Sequence, residues 1–206
     1  MDMLATKYVI LADSLPYAQY LNKYRPAFAS QDGVHVYENS SALPKAWFVG
    51  SQKLFANADS VYAELAKGQF EPRREALIED KAALIPGSGD SLGVNKVELK
   101  RYELQAAEYA LSTDREAFLV LSETYYPAGW KALLDGKEIP IYAANYILRG
   151  LKIPSGNHKL ELVFAPDSYK QSLTLSLAGL LITLAALLGG WFTHYKTKVK
   201  TDSQGS

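Results

Sequence analysis

From Lys96 onward the hydrophobic positions recur at every second residue. "KVELK" (96–100) sets Val97 and Leu99 against charged neighbours, and "HKLELVF" (158–164) sets Leu160, Leu162 and Phe164 against Lys159, Glu161 and Val163. A period of two predicts strands with one buried face. "FLVLS" (118–122) is apolar on both sides, as a central strand would be. "GWKALLDGKEIPIY" (129–142) places Asp135-Gly136 between two apolar-rich arms. That pair adopts the positive backbone angles of a type I′ turn, so a hairpin is predicted. "ANYILRGLKI" adds a strand in which Gly150 marks a bulge or a close contact, and "PSGNH" adds a turn. About six strands in roughly seventy residues predict an antiparallel β-sandwich or jelly-roll-like domain.

Upstream the pattern is mixed. "KYVIL", "VHVYE" and "KAWFV" read as strands, and "ADSVYAELAKG" as a short helix capped by Asn57 or Asp59 and ended by Gly68. "PGSGDSLG" (86–93) is a linker. The expected organisation is a mixed α/β N-terminal subdomain over 1–86, an antiparallel sandwich part over 94–169, a transmembrane helix over 173–192 and a cytoplasmic tail over 196–206. The fold class is thus mainly β, with a short helix and one C-terminal membrane span.

The span is "LTLSLAGLLITLAALLGGWF", 20 residues without a charge. At about 1.5 Å per residue a helix of that length crosses the roughly 30 Å of a bilayer core. Trp191 and Tyr195 suit the interfacial belt, and Lys196, Lys198 and Lys200 follow the span while Lys170 is the lone basic residue just before it. The positive-inside rule then leaves the C-terminus in the cytoplasm and the main domain extracytoplasmic. "MDMLATKYVILADS" has none of the features of a secretion signal. The expectation is therefore a C-terminal piece of a longer polytopic protein, and a tail-anchored protein with a cytosolic domain is the competing arrangement. Ser176, Gly179, Thr183, Ala186 and Gly190 line one helical face with small residues, which suits close packing against another membrane helix.

Composition narrows the chemistry. Lys+Arg and Asp+Glu both total 22, so net charge provides no attraction for nucleic acid. The absence of cysteine removes disulfides and thiolate chemistry. His35, His158 and His194 are too dispersed for a recognisable metal motif, and no metal or other cofactor is expected. Gly89-Asp90-Ser91-Leu92-Gly93 satisfies GxSxG, but Pro86 and two glycines precede the serine where a nucleophile elbow needs a strand, and a strand pattern follows where it needs a helix. Glu123, Asp135, Glu138 and Asp167 stand beside turns or strand ends, where carboxylates are ordinary. The remaining lead is aromatic. Tyr125, Tyr126, Trp130, Tyr142 and Tyr146 cluster around the hairpin, so Trp130, Asn145, Tyr146 and Arg149 are the candidate carbohydrate contacts, with core packing as the competing role for the aromatic rings.

"VYENSSALPKAWFV" (36–49), the block "LSETYYPAGWKALLDGKEIPIYAANYILRGLKIPSGNHKLELVFAPDSY" (121–169) and the final apolar helix together resemble the C-terminal end of the YfhO family of bacterial membrane proteins. Ala128 departs from the pattern, in which proline passes directly to the Gly-Trp pair. The resemblance implies a multi-spanning, glycosyltransferase-like protein that draws on a polyprenyl-phosphate sugar to glycosylate an envelope polymer such as teichoic acid. It also implies that the catalytic acidic residue lies upstream, so no catalytic residue is carried over to this chain and this part is non-catalytic. The partners implied are the membrane, the upstream helices of the same protein, the lipid-linked sugar and the polymer. A free-standing, membrane-anchored carbohydrate-binding or adhesion module is the alternative.

Overall fold

A computed structural model describes residues 2–15, 22–86 and 93–202, with backbone alone at 167, 170, 171 and 191–202. The loop serine Ser91 and the side chains of Trp191, His194, Tyr195, Lys196, Lys198 and Lys200 lie outside the described parts. The chain divides into two compact units, Met1–Phe164 and Ala165–Ser206.

The described residues of the first unit form three sheets. β1 (Tyr8–Leu11), β2 (Tyr24–Ala29) and β3 (His35–Asn39) make a small antiparallel sheet in the order β1-β3-β2. β2 contains Pro26 and breaks alternation with a bulge between Pro26 and Phe28. A proline-bearing strand is confined to an edge, because the ring removes a ladder donor. β4 (Ala46–Val49), β5 (Ser51–Leu54), α1 (Ala58–Ala66) and β6 (Glu75–Ile78) follow. Asn57 caps α1 by accepting from the Ser60 amide at 2.9 Å, and Gly68 leaves it at φ +70°.

After the linker come β7 (Asn95–Tyr102), β8 (Ala106–Thr113), β9 (Ala117–Thr124), β10 (Trp130–Leu134), β11 (Lys137–Ile139), β12 (Tyr142–Ala144), β13 (Leu148–Ile153) and β14 (Gly156–Phe164). One sheet has the order β11-β10-β14-β8-β7 and the other β4-β9-β13-β12-β6-β5. Every pair is antiparallel except β5 with β6. β4, β5 and β6 from before the linker thus share a sheet with β9, β12 and β13 from after it, within one compact unit. Eight strands form after the linker. β8, "AAEYALST", gives little signal because Leu111 is the one large aliphatic side chain among its buried positions and alanines fall on both faces, yet it alternates half-buried and buried along its whole length.

The two larger sheets face one another across a core that includes Tyr109, Leu119, Leu121, Leu151, Ile153, Leu160 and Leu162. A second cluster on the other face of the six-stranded sheet includes Trp47, Ile78, Phe118, Val120 and Leu148. β9 is buried from Ala117 to Ser122 between β4 and β13, as its two-sided apolarity predicts. Each leucine buried on both flanks contributes about 1.5–3 kcal/mol relative to exposure.

Asp135 and Gly136 have φ of 51° and 80°, which makes the β10–β11 connection the predicted I′ turn. Asp135 also reaches β14, lying 2.7 Å from His158 Nδ1 and accepting from the Lys159 amide at 2.8 Å. These two hydrogen bonds, the histidine's first, hold its carboxyl below the usual carboxylate range. A Cβ at Gly136 meets nothing within 4 Å, so substitution there acts through the backbone alone. Gly136→Val should cost about 1–2 kcal/mol, because a β-branched residue resists positive φ. An unchanged urea midpoint would remove the turn from the list of stabilising features.

The second unit carries α2 (Asp167–Asp202). Ser172–Gly190 is long and apolar enough to cross a membrane, and none of it is buried. The helix continues to Asp202, so residues 196–202, expected as a tail, are helical. Thr183 donates its hydroxyl to the Gly179 carbonyl at 2.9 Å, which satisfies that polar group inside the helix.

Candidate functional site

One end of the sandwich gathers the groups with the least ordinary environments. The ends of β7, β9 and β14 meet there with the beginnings of β4, β8, β10 and β13. β9 carries a large bulge at this end. Thr124 pairs with Leu148 and Leu121 with Arg149, so Ser122 and Glu123 stand opposite a single step of β13. Bulges re-aim side chains, and here the carboxylate meets a cation. Glu123 Oε2 lies 2.9 Å from Arg149 Nη1, with the side chains only 14% and 4% exposed respectively. Arg149 Nε donates to the Thr124 carbonyl at 2.9 Å. The guanidinium carbon sits 4.1 Å from the centre of the Trp130 ring, and Trp130 tilts against Phe164 at 5.5 Å.

Burial lowers the Arg149 pKa, opposed by the Glu123 carboxylate. The same burial pushes the Tyr109 phenol well above its ordinary value, with the Glu123 charge adding to the effect. Tyr109 is 1% exposed and its hydroxyl has no hydrogen-bond partner among the described residues. On the rim, Lys45 lies over the Tyr102 ring at 4.7 Å and donates to its hydroxyl at 3.3 Å, linking the edge strands of the two sheets. Gly129 is required for this packing, because a Cβ there would come within 2.2 Å of Phe164.

The four predicted carbohydrate contacts separate into two pairs. Trp130 and Arg149 are stacked as described. Asn145 and Tyr146 form the turn between β12 and β13, at φ of 50° and 76°. Asn145 is fully buried and joins β6, its amide donating to the Leu77 carbonyl and its Oδ1 accepting from the Leu77 amide, both at 2.8 Å. Its Nδ2 has no hydrogen-bond partner among the described residues. Tyr146 is 42% exposed, and its ring lies 5.7 Å from that of Tyr62 on α1. A tyrosine at positive φ is an outlier that only a firmly held neighbour sustains.

The sequence pattern does not single out Tyr102, Tyr109 or Lys45, and sets Glu123 aside among ordinary turn and strand-end carboxylates. Glu123 is an ordinary strand-end carboxylate until the β9 bulge is known, and no local periodicity reports cross-sheet proximity. Among the described residues no group of three or more His, Cys, Asp or Glu side chains is placed to hold a metal ion. Val94, which follows the glycine-rich loop, bonds Asp114 at the opposite end of the sandwich. An open depression of about 450 Å³ on the five-stranded sheet is lined by residues including Lys96, Glu98, Asn157 and Lys159, and contains none of the four candidates. Its charges are already paired, Lys159 with Glu108 and Glu161, and Lys96 with Glu98.

No solved structure matches the chain. A protein from Bacillus subtilis (strain 168) described as "Uncharacterized protein YfhO" is 25% identical over 120 residues, which is 58% of this chain and 14% of that protein. The chain therefore spans a small fraction of the length of its curated relative. The family described as "Bacterial membrane protein YfhO" matches residues 89–176. That segment holds Tyr102, Tyr109, Glu123, Trp130, Arg149 and Phe164, and runs into the apolar part of α2. That match, over 89–176, and the relative together support membership of the YfhO family of bacterial membrane proteins.

Proposed function

We propose that this chain is the extracytoplasmic C-terminal β domain and last span of a longer, multi-spanning protein of glycosyltransferase type, which uses a polyprenyl-phosphate sugar to modify an envelope polymer such as teichoic acid. The chain itself is non-catalytic and supports or covers a centre formed by upstream segments. Its small-residue stripe packs against their helices. The C-terminus is cytoplasmic.

The observation that carries this reading is the built sandwich end, where Trp130 is held under Arg149 and Tyr146 is held exposed by buried Asn145. Aromatic faces fixed by buried polar groups are suited to the apolar face of a sugar ring. Ligand contact falls to Trp130 and Tyr146, with Arg149 and Asn145 as positioning residues.

The test uses the full-length protein in its bacterium, with the sugar-to-phosphate ratio of extracted wall polymer as the readout. Tyr146→Ala should lower that ratio severalfold at unchanged protein level, and Ser91→Ala should leave it alone. An unchanged ratio after deletion of the whole gene would remove sugar transfer. Full activity in Tyr146→Ala would remove the contact.

A further inference from the structure

The same end of the sandwich exposes an unusual set of apolar groups. Leu104, at the tip between β7 and β8, is 97% exposed, and Tyr102 beside it is 48% exposed. Tyr126 in the β9–β10 loop is 54% exposed, and Tyr146 and Ile147 in the β12–β13 turn are 42% and 40% exposed. The β9–β10 loop is tied to the β12–β13 turn, and the β7–β8 tip to the end of β14. The Tyr125 amide donates to the Ile147 carbonyl at 2.7 Å, and the Phe164 amide donates to the Gln105 carbonyl at 2.8 Å. A tyrosine-rich rim with an aliphatic point has the composition of a membrane–water interface, where the ring body is apolar and the hydroxyl stays wet.

Covalent continuity identifies what meets this rim. Phe164, bonded to the β7–β8 tip, ends β14, and the apolar span begins at Ser172. Eight residues reach about 28 Å at full extension, and much less here because α2 begins at Asp167. We propose that this rim, Leu104 included, rests in the headgroup layer of the bilayer that α2 crosses. Arg101 beside the tip is paired with Glu103 at 2.8 Å, so the contact is apolar in origin and should survive high salt. It requires only that α2 spans the membrane, and stands whether or not the protein transfers sugar.

The absence of native cysteine allows single labels on the full chain. Leu104→Cys and Tyr126→Cys would carry an environment-sensitive fluorophore, with Lys137→Cys, at the β10–β11 turn on the opposite end, as reference. The chain is reconstituted in phosphatidylcholine vesicles doped with nitroxide-labelled lipid. Labels at 104 and 126 should be blue-shifted and quenched at least about twice as strongly as at 137, with no loss in high salt. Water-like emission at 104, equal to that at 137, would overturn the proposal. Equal quenching at all three positions would overturn it too, since the far end would then touch lipid as closely as the rim. Leu104 is 97% exposed, so its replacement should leave the fold intact.

Discussion

Glu123→Ala should lower the stability of the β domain by about 3–5 kcal/mol, because it leaves the Arg149 guanidinium, 4% exposed, without its counter-charge. The magnitude comes from the uncompensated charge and not from the worth of the pair itself. Two ions taken from water give up hydration that their attraction roughly repays. The double replacement Glu123→Leu with Arg149→Leu should therefore lie far closer to the parent than either single change. Urea unfolding of the full chain in detergent, followed by tryptophan fluorescence, measures both, and Trp130 reports directly because the guanidinium covers its ring. A loss below about 1 kcal/mol in the single variant would mean that the pair behaves as a solvated surface bridge.

Phe118→Ala should cost a similar amount, about 3–5 kcal/mol, through the cavity left in the outer-face core. Phe118 is 1% exposed and occupies the space that Gly150 leaves open on the neighbouring strand. A Cβ on Gly150 would stand 2.2 Å from the Phe118 ring and 3.2 Å from Ala144 Cβ. Gly150 does not have a positive φ, so Gly150→Ala acts by overpacking and should cost about 1–3 kcal/mol. Combining the two should cost less than their sum by about 0.5–3 kcal/mol, since the new methyl enters the space the ring vacates. The same urea titrations test this. Strict additivity would show that ring and glycine do not share a space in solution.

This pair also shows where sequence reading stops. Gly150 was expected as a bulge or a close contact. It is the close contact, and Phe118 is what approaches it. The bulge lies one step earlier, opposite Leu148 and Arg149, and on the other strand. A glycine inside an apolar run reports that something is near, but the identity of the neighbour depends on register between strands far apart in sequence.

Alternation, turn residues and an uncharged run were enough to establish the mainly β class, the Asp135-Gly136 hairpin, the central place of β9, a helix capped by Asn57 or Asp59, and the apolar helix. Each depends on side chains within a few residues of one another. The interleaving of strands across the linker, the parallel β5–β6 pair, the Glu123–Arg149 pair under Trp130 and the tying of Asn145 to Leu77 were decided only by tertiary structure. Those features depend on which strands become neighbours and in what register, and that choice is made by burying two sheet faces together, a property of the whole chain and of no single segment.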